Sequence, residues 1–213
     1  MHNVLTYTFW NAIGIFILEF LLICLLIPES FVKAQIKYEV MDIADKLGAE
    51  TAQEVRQDTT KIFDSIIVDT GIYTTLHRMV IPSRAEQQRS KGMESLGKDL
   101  FPFVQSRLEA MWYSVSQAIM RLVHFLVWLP FLLLLIIPAM LDGVFQRRIR
   151  ITTFRHVSAL RHRMGFRGIV VIIFGLFIIA LMPFGIPTLV FPVIGAAIAF
   201  LINMSITFTQ KRL

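Results

Sequence analysis

The stretch that decides the fold is Leu122–Leu141, LVHFLVWLPFLLLLIIPAML. It contains one histidine and no acidic or basic residue. At 1.5 Å rise per residue, a helix of this length crosses the roughly 30 Å hydrocarbon core of a bilayer. Pro130 and Pro138 lie inside the stretch; membrane helices tolerate proline, so a kink at one of them is expected rather than a break. Upstream, Phe103, Leu108, Met111, Trp112, Val115 and Ile119 fall mostly on one helical face and lead directly into the apolar run. The simplest account is one long helix that begins near Leu100 and enters the membrane at about residue 119, with its span over 119–141.

Three further blocks are similarly apolar: Val4 to Ile27, Gly168 to Met182 and Thr188 to Ile206. The first, with Tyr7 and Trp10 near its start, is too long for a signal-peptide core and ends in Pro28-Glu29-Ser30 without a small-residue cleavage site. It is therefore expected to be a retained span over residues 1–28. The last two flank Pro183-Phe184-Gly185-Ile186-Pro187, a tight apolar turn, and predict a helical hairpin over 168–206. The composition agrees: 55% of the 213 residues are hydrophobic and 17% charged, against about 45–50% and ~25% in soluble domains. The expected fold class is an all-α integral membrane protein with four transmembrane helices and a helical extracytoplasmic region between the first and second.

That region, residues 29–118, mixes charges of both signs. Val32, Ile36, Val40, Ile43, Ala44 and Leu47 recur at helical spacing, and Gly48 is a plausible stop. A second helix is expected from about Ala49 to Val68, with Val55, Ile62, Phe63, Ile66 and Ile67 as its apolar stripe, and a third from Ile72 to Ile81, ending before Pro82. Ser83 to Gly97 is polar and is expected to be a mobile loop. No run shows sustained strand alternation.

Orientation follows from residues 142–167. This loop carries Arg147, Arg148, Arg150, Arg155, Arg161, Arg163 and Arg167 against one acid, Asp142, and the tail 207–213 ends in Lys211-Arg212-Leu213. Short Arg-rich loops stay cytoplasmic, which places both termini and the arginine loop inside, and residues 29–118 and the proline turn outside. Most of the net charge of +6 is then a topology signal with membrane-lipid headgroups beside it. A cytoplasmic partner with an acidic face is the sharper reading of Arg147, Arg148, Arg150, Arg155, Arg161 and Arg163, because all seven basic residues between Asp142 and Arg167 are Arg and none is Lys. A planar guanidinium holds a carboxylate in a way an ammonium does not. Direct nucleic-acid binding is disfavoured: aromatics are sparse there and no nucleic-acid motif is present.

Catalytic patterns are missing from the sequence. His2, His77, His124, His156 and His162 lack metal-site spacing; there is no phosphate-binding glycine loop, no nucleophile elbow and no paired cysteine, since Cys24 stands alone. The chain reads as non-enzymatic, without metal or cofactor. Glu19, mid-block in the first span, is the most costly intramembrane polar residue and faces other protein or is protonated; His124 and Asn203 lie near span ends, where headgroups can solvate them. Gly175 and Gly195, with Ala196, Ala197 and Ala199, form a small-residue surface suited to hairpin packing, with a homo-oligomer as the alternative.

The stretch Leu141-Asp142-Gly143-Val144-Phe145-Gln146-Arg147-Arg148-Ile149-Arg150, the basic segment Arg155 to Arg163 and the prolines Pro183, Pro187 and Pro192 resemble the integrating-conjugative-element membrane protein family. The resemblance is specific over about Pro138 to Pro192 and architectural before that; Thr152 to Ser158 lacks the acid that family members usually carry. It implies an accessory or scaffold inner-membrane subunit of a conjugative type IV secretion or coupling complex, with the coupling ATPase among its partners and no active site to transfer. A small channel or transporter using Glu19, or a surface-exclusion protein of the recipient membrane, are the alternatives.

Overall fold

The computed structural model describes residues 10–11, 13–15, 17–18, 26–80, 94–153 and 158–209. Among the described residues the regular structure is all helical and contains no strand. In chain order the elements are α1 (Glu29–Leu47), α2 (Ala49–Phe63), a π-helical turn (Asp64–Val68), α3 (Ile72–Val80), α4 (Glu94–Thr152), α5 (Ala159–Leu181) and α6 (Val190–Thr207). They form two compact units. One comprises Ile15–Val123 with Ala180–Pro187; the other comprises Met1–Gly14, His124–Ile179 and Thr188–Leu213.

In the first unit, α1 stops where expected. Gly48 has φ 96° and ψ 154°, a conformation essentially restricted to glycine, and its N–H donates to the Ala44 carbonyl at 3.1 Å before α2 begins at the next residue. Val32, Ile43 and Val55 are buried, as anticipated for these stripes, and Ala52, outside the anticipated positions, is buried with them. The stripe fails beyond Phe63. The π-helical turn inserts extra backbone per turn and rotates the side chains after Phe63 off the buried face, so Ile66 is exposed rather than inside. Gly71, at φ 76°, then allows α3 to start. Trp112 of α4 is buried edge-on to Phe63, with ring centroids 6.4 Å apart, and at 5.4 Å from Tyr73.

In the second unit, glycines set how closely the helices approach. A Cβ on Gly165 of α5 would lie 2.9 Å from the Leu201 carbonyl of α6, and one on Gly143 of α4 would lie 3.1 Å from the Asn203 carbonyl. Gly195 packs its bare Cα against Leu132. Gly175 faces open space, so of the anticipated small-residue pair only Gly195 serves internal packing.

Three described helices are long and apolar enough to cross a membrane: Pro102–Thr152, Leu160–Leu181 and Val190–Thr207. The fourth expected span, residues 1–28, falls largely outside the described residues. Leu134, Phe131, Val171, Phe177, Val193 and Phe200 are exposed along these helices, as lipid-facing side chains would be. The segment 142–167, anticipated as a loop, is mostly helix: α4 continues to Thr152 and α5 begins at Ala159. Polarity changes at Asp142, but Val144, Phe145, Ile149 and Ile151 continue a helix-compatible pattern with no proline to stop it. Of the loop expected over Ser83–Gly97, Glu94–Gly97 already belongs to α4 and the remainder lies outside the described residues.

Candidate functional site

Two polar centres stand out, one in each unit. The first is built on Glu39, which shares the buried face of α1 with Val32 and Ile43, seven and four residues away. Opposite it on α4 stands Arg121, one turn beyond Gln117. The exposures of Glu39, Arg121 and Gln117 are 3%, 4% and 1%. Arg121 Nε donates to Glu39 Oε1 at 3.0 Å, its Nη2 donates to the same oxygen, and Gln117 Nε2 donates there at 3.0 Å.

The remaining guanidinium hydrogens go to backbone. Arg121 Nη1 donates to the carbonyls of Ala180 at 3.1 Å and Met182 at 2.6 Å, and Nη2 donates to that of Phe184 at 2.6 Å. These carbonyls belong to the end of α5 and the turn after it, where intrahelical donors run out. Pro183 and Pro187 have no N–H to offer. A cation at a helix C-terminus also meets the negative end of the helix dipole. The turn's own donors are used as well: Ile186 N–H donates to Glu39 Oε1 at 3.0 Å, and Gly185 N–H to Gln35 Oε1 at 2.9 Å. Phe31 and Phe184 meet edge to face at 5.8 Å. One buried ion pair thus clasps α1, α4 and the proline turn.

Beside it, the start of α1 faces α4 through Glu29, Lys33, Glu109 and Tyr113. Lys33 Nζ lies 3.5 Å from Glu29 and 4.6 Å from the Tyr113 ring centroid. A hydrogen bond with the Glu109 carboxyl raises the Glu29 pKa above its ordinary value, helped by partial burial and opposed by Lys33.

The second centre is the arginine-bearing ends of α4 and α5. Among the described residues Asp142 pairs with no arginine. Its Oδ2 accepts from Asn203 Nδ2 of α6 and from Gln146 Nε2, both at 2.7 Å, while Asn203 also donates to the Ala139 carbonyl at 3.0 Å. The Asp-Gly step is thereby explained: the aspartate holds Asn203, and the adjacent glycine lets the Asn203 backbone approach. Arg150 and Arg161, from different helices, both lie over the Phe208 ring, at 4.4 and 5.0 Å from its centroid. Arg148 and Arg163 are exposed, and Arg147 is half-buried with its Nε lacking a partner. His162 Nδ1 lies 2.9 Å from the Ser205 carbonyl.

The structure therefore brings Arg150 and Arg161 together, and leaves Arg147, Arg148 and Arg163 without an ion-pair partner among the described residues. Arg155 and Glu19 lie outside those residues. Asn203 and His124, expected near solvating headgroups, are instead engaged within protein: His124 is 3% exposed, accepts from Trp128 Nε1 at 3.2 Å and stacks on Phe191 at 4.6 Å. Sequence reasoning missed Glu39, Arg121, Gln117 and Phe208. The first two had a signal: Glu39 sits on the α1 apolar stripe, and Arg121 is flanked by Ile119-Met120 and Leu122-Val123. No acid–glutamine–arginine motif links residues so far apart in the chain.

No curated protein and no solved structure matches the chain. Residues 36–212, which take in the Glu39–Arg121 clasp and the arginine-bearing helix ends, match the family described as IncC plasmid conjugative DNA transfer protein DtrJ-like, and the chain belongs to this family.

Proposed function

We propose that the protein is a non-enzymatic accessory or scaffold subunit of the conjugative apparatus, embedded in the bacterial inner membrane. Involvement in conjugative DNA transfer comes with membership of the family. The finer reading is a partner of the type IV coupling ATPase, of the kind encoded in integrating conjugative elements. The observation that carries the scaffold reading is the Glu39–Arg121 clasp. The most buried charges among the described residues are spent on holding two helices and a turn in place, with every named donor directed at protein. Uncovered apolar side chains on α4, α5 and α6 support membrane insertion.

The clasp also bears on topology. Residues 29–118 and the proline turn belong to one compact unit, which fits both lying on the same, extracytoplasmic, side. The arginine-bearing helix ends then lie on the cytoplasmic side.

The test is a deletion of the gene from its host element, with mating frequency as the readout. Loss of transfer, restored by wild type but not by a variant lacking the clasp, is expected. Unchanged transfer from the deletion strain would overturn the proposal.

A further inference from the structure

The arrangement around Phe208 poses an electrostatic problem. Two guanidinium groups from α4 and α5 lie within 4.4 and 5.0 Å of one ring centroid, so at most 9.4 Å (4.4 + 5.0) separates their central carbons. Like charges this close repel. Arg147 lies one turn before Arg150 on α4, with a buried, unpartnered Nε. The only acid between residues 142 and 167, Asp142, is held by the neutral amides of Asn203 and Gln146 rather than by an arginine. Among the described residues no carboxylate pairs with Arg147, Arg150 or Arg161. Two guanidinia from two helices thus share one ring, a third lies one turn away on α4, and among the described residues no carboxylate pairs with any of them.

We propose that Arg150 and Arg161, pre-formed on Phe208, together with Arg147 one turn before Arg150, bind the phosphate of an anionic phospholipid at the cytoplasmic membrane surface. A phosphodiester accepts from several guanidinia at once and matches their planar donor pairs. The Phe208 ring holds Arg150 and Arg161 before the lipid arrives, which lowers the cost of ordering them. Lipid is favoured over a free anion because both helices continue into apolar, uncovered stretches, α4 toward its N-terminal end and α5 toward its C-terminal end. A headgroup bound here would have acyl chains beside it. The inference rests on the proposed insertion of α4, α5 and α6 in the membrane.

The experiment uses the full chain in mild detergent, titrated with short-chain phosphatidylglycerol, short-chain phosphatidylcholine and inorganic phosphate, with bound lipid counted by native mass spectrometry. Preferential retention of phosphatidylglycerol is expected. Arg147→Gln and Arg161→Gln should each weaken it about fivefold, the effect of one basic residue near anionic lipid. Phe208→Leu keeps every charge and should weaken it by less, and circular dichroism of each variant checks that the helices persist. Equal retention of phosphatidylcholine, wild-type retention by the arginine variants, or displacement by inorganic phosphate at matched concentration would overturn the lipid site. Carbonate washing of cell membranes separates the two proposals. Release of the protein would overturn the membrane reading itself, whereas a membrane-retained protein indifferent to phosphatidylglycerol would overturn only the lipid site.

Discussion

Glu39 and Arg121 show what a buried charge costs when its partner is taken away. Each is almost fully enclosed, and removing one partner of such a pair strands the other, with a typical loss of about 3–5 kcal/mol. Arg121→Met and Glu39→Leu are each expected to destabilise the detergent-solubilised protein by that order, read as a lower unfolding midpoint. The double variant should recover part of the loss but not all, because the carbonyls of Ala180, Met182 and Phe184 still lack a donor. Additive single losses would show that the two side chains do not act as a unit. Glu29 supports a pH prediction. Its folded pKa is raised, mainly by the hydrogen bond with Glu109, so the protonated form is the one the fold favours. The stabilisation is present around the ordinary carboxylate pKa, is lost as pH rises through the elevated folded value of Glu29, and is lost again as pH falls through the lowered folded value of Glu109, whose carboxylate shares that hydrogen bond. Hydrogen exchange at the start of α1 should speed up over that rise in wild type. In Glu29→Gln the pH-dependent component should vanish, and a persisting component would assign it to another group.

At the scale of elements, α4 dominates. Its 59 residues are nearly three times the roughly 20 that a helix needs to cross the hydrocarbon core. On the proposed insertion, a large part of it lies outside the hydrocarbon wherever the membrane sits along it. Its apolar centre was legible in the sequence because twenty residues without acid or base have few other readings. Its ends were not, because hydropathy reports where the solvent changes, whereas a helix ends where its hydrogen-bond ladder is broken, and nothing between Asp142 and Thr152 breaks it. The glycine contacts of α5 and α6 were legible only in type. Sequence marks glycines but not which of them face a neighbour, and Gly175 and Gly165 look alike until the helices are placed. The structure separates them by expected outcome. Gly143→Val and Gly165→Val should each destabilise by about 1–3 kcal/mol through overpacking against the α6 backbone. Gly175→Ala, facing open space, should be neutral or stabilising by less than about 1 kcal/mol. Thermal unfolding of the three variants in one detergent checks the order. A Gly175→Ala loss matching the other two would point to a contact at Gly175 made by another molecule.

For the molecule as a whole, the arginine bias carries the argument furthest. Charge-counting during insertion gives no reason to prefer Arg over Lys, yet every basic residue from Asp142 to Arg167 is Arg, while lysines are frequent between Lys33 and Lys98. The structure supplies a reason for two of them: Arg150 and Arg161 lie over Phe208, and a planar guanidinium stacks on a ring better than an ammonium does. It supplies no internal reason for Arg147 or Arg148, whose guanidinium groups have no partner among the described residues. Two double variants separate these roles. Arg150→Lys with Arg161→Lys should lower the unfolding midpoint, because the loss falls on contacts inside the chain. Arg147→Lys with Arg148→Lys should leave unfolding unchanged and membrane abundance equal to wild type by immunoblot, because the charge that directs insertion is kept. Transfer frequency in a mating assay should nevertheless fall about tenfold. That is on the order of one charge-assisted hydrogen bond, ~1.5 kcal/mol, lost where guanidinium geometry had met phosphate or carboxylate oxygens outside the chain. Wild-type transfer from an equally abundant Arg147–Arg148 variant would mean that these two arginines act only as summed charge, leaving topology and diffuse lipid attraction as their whole role.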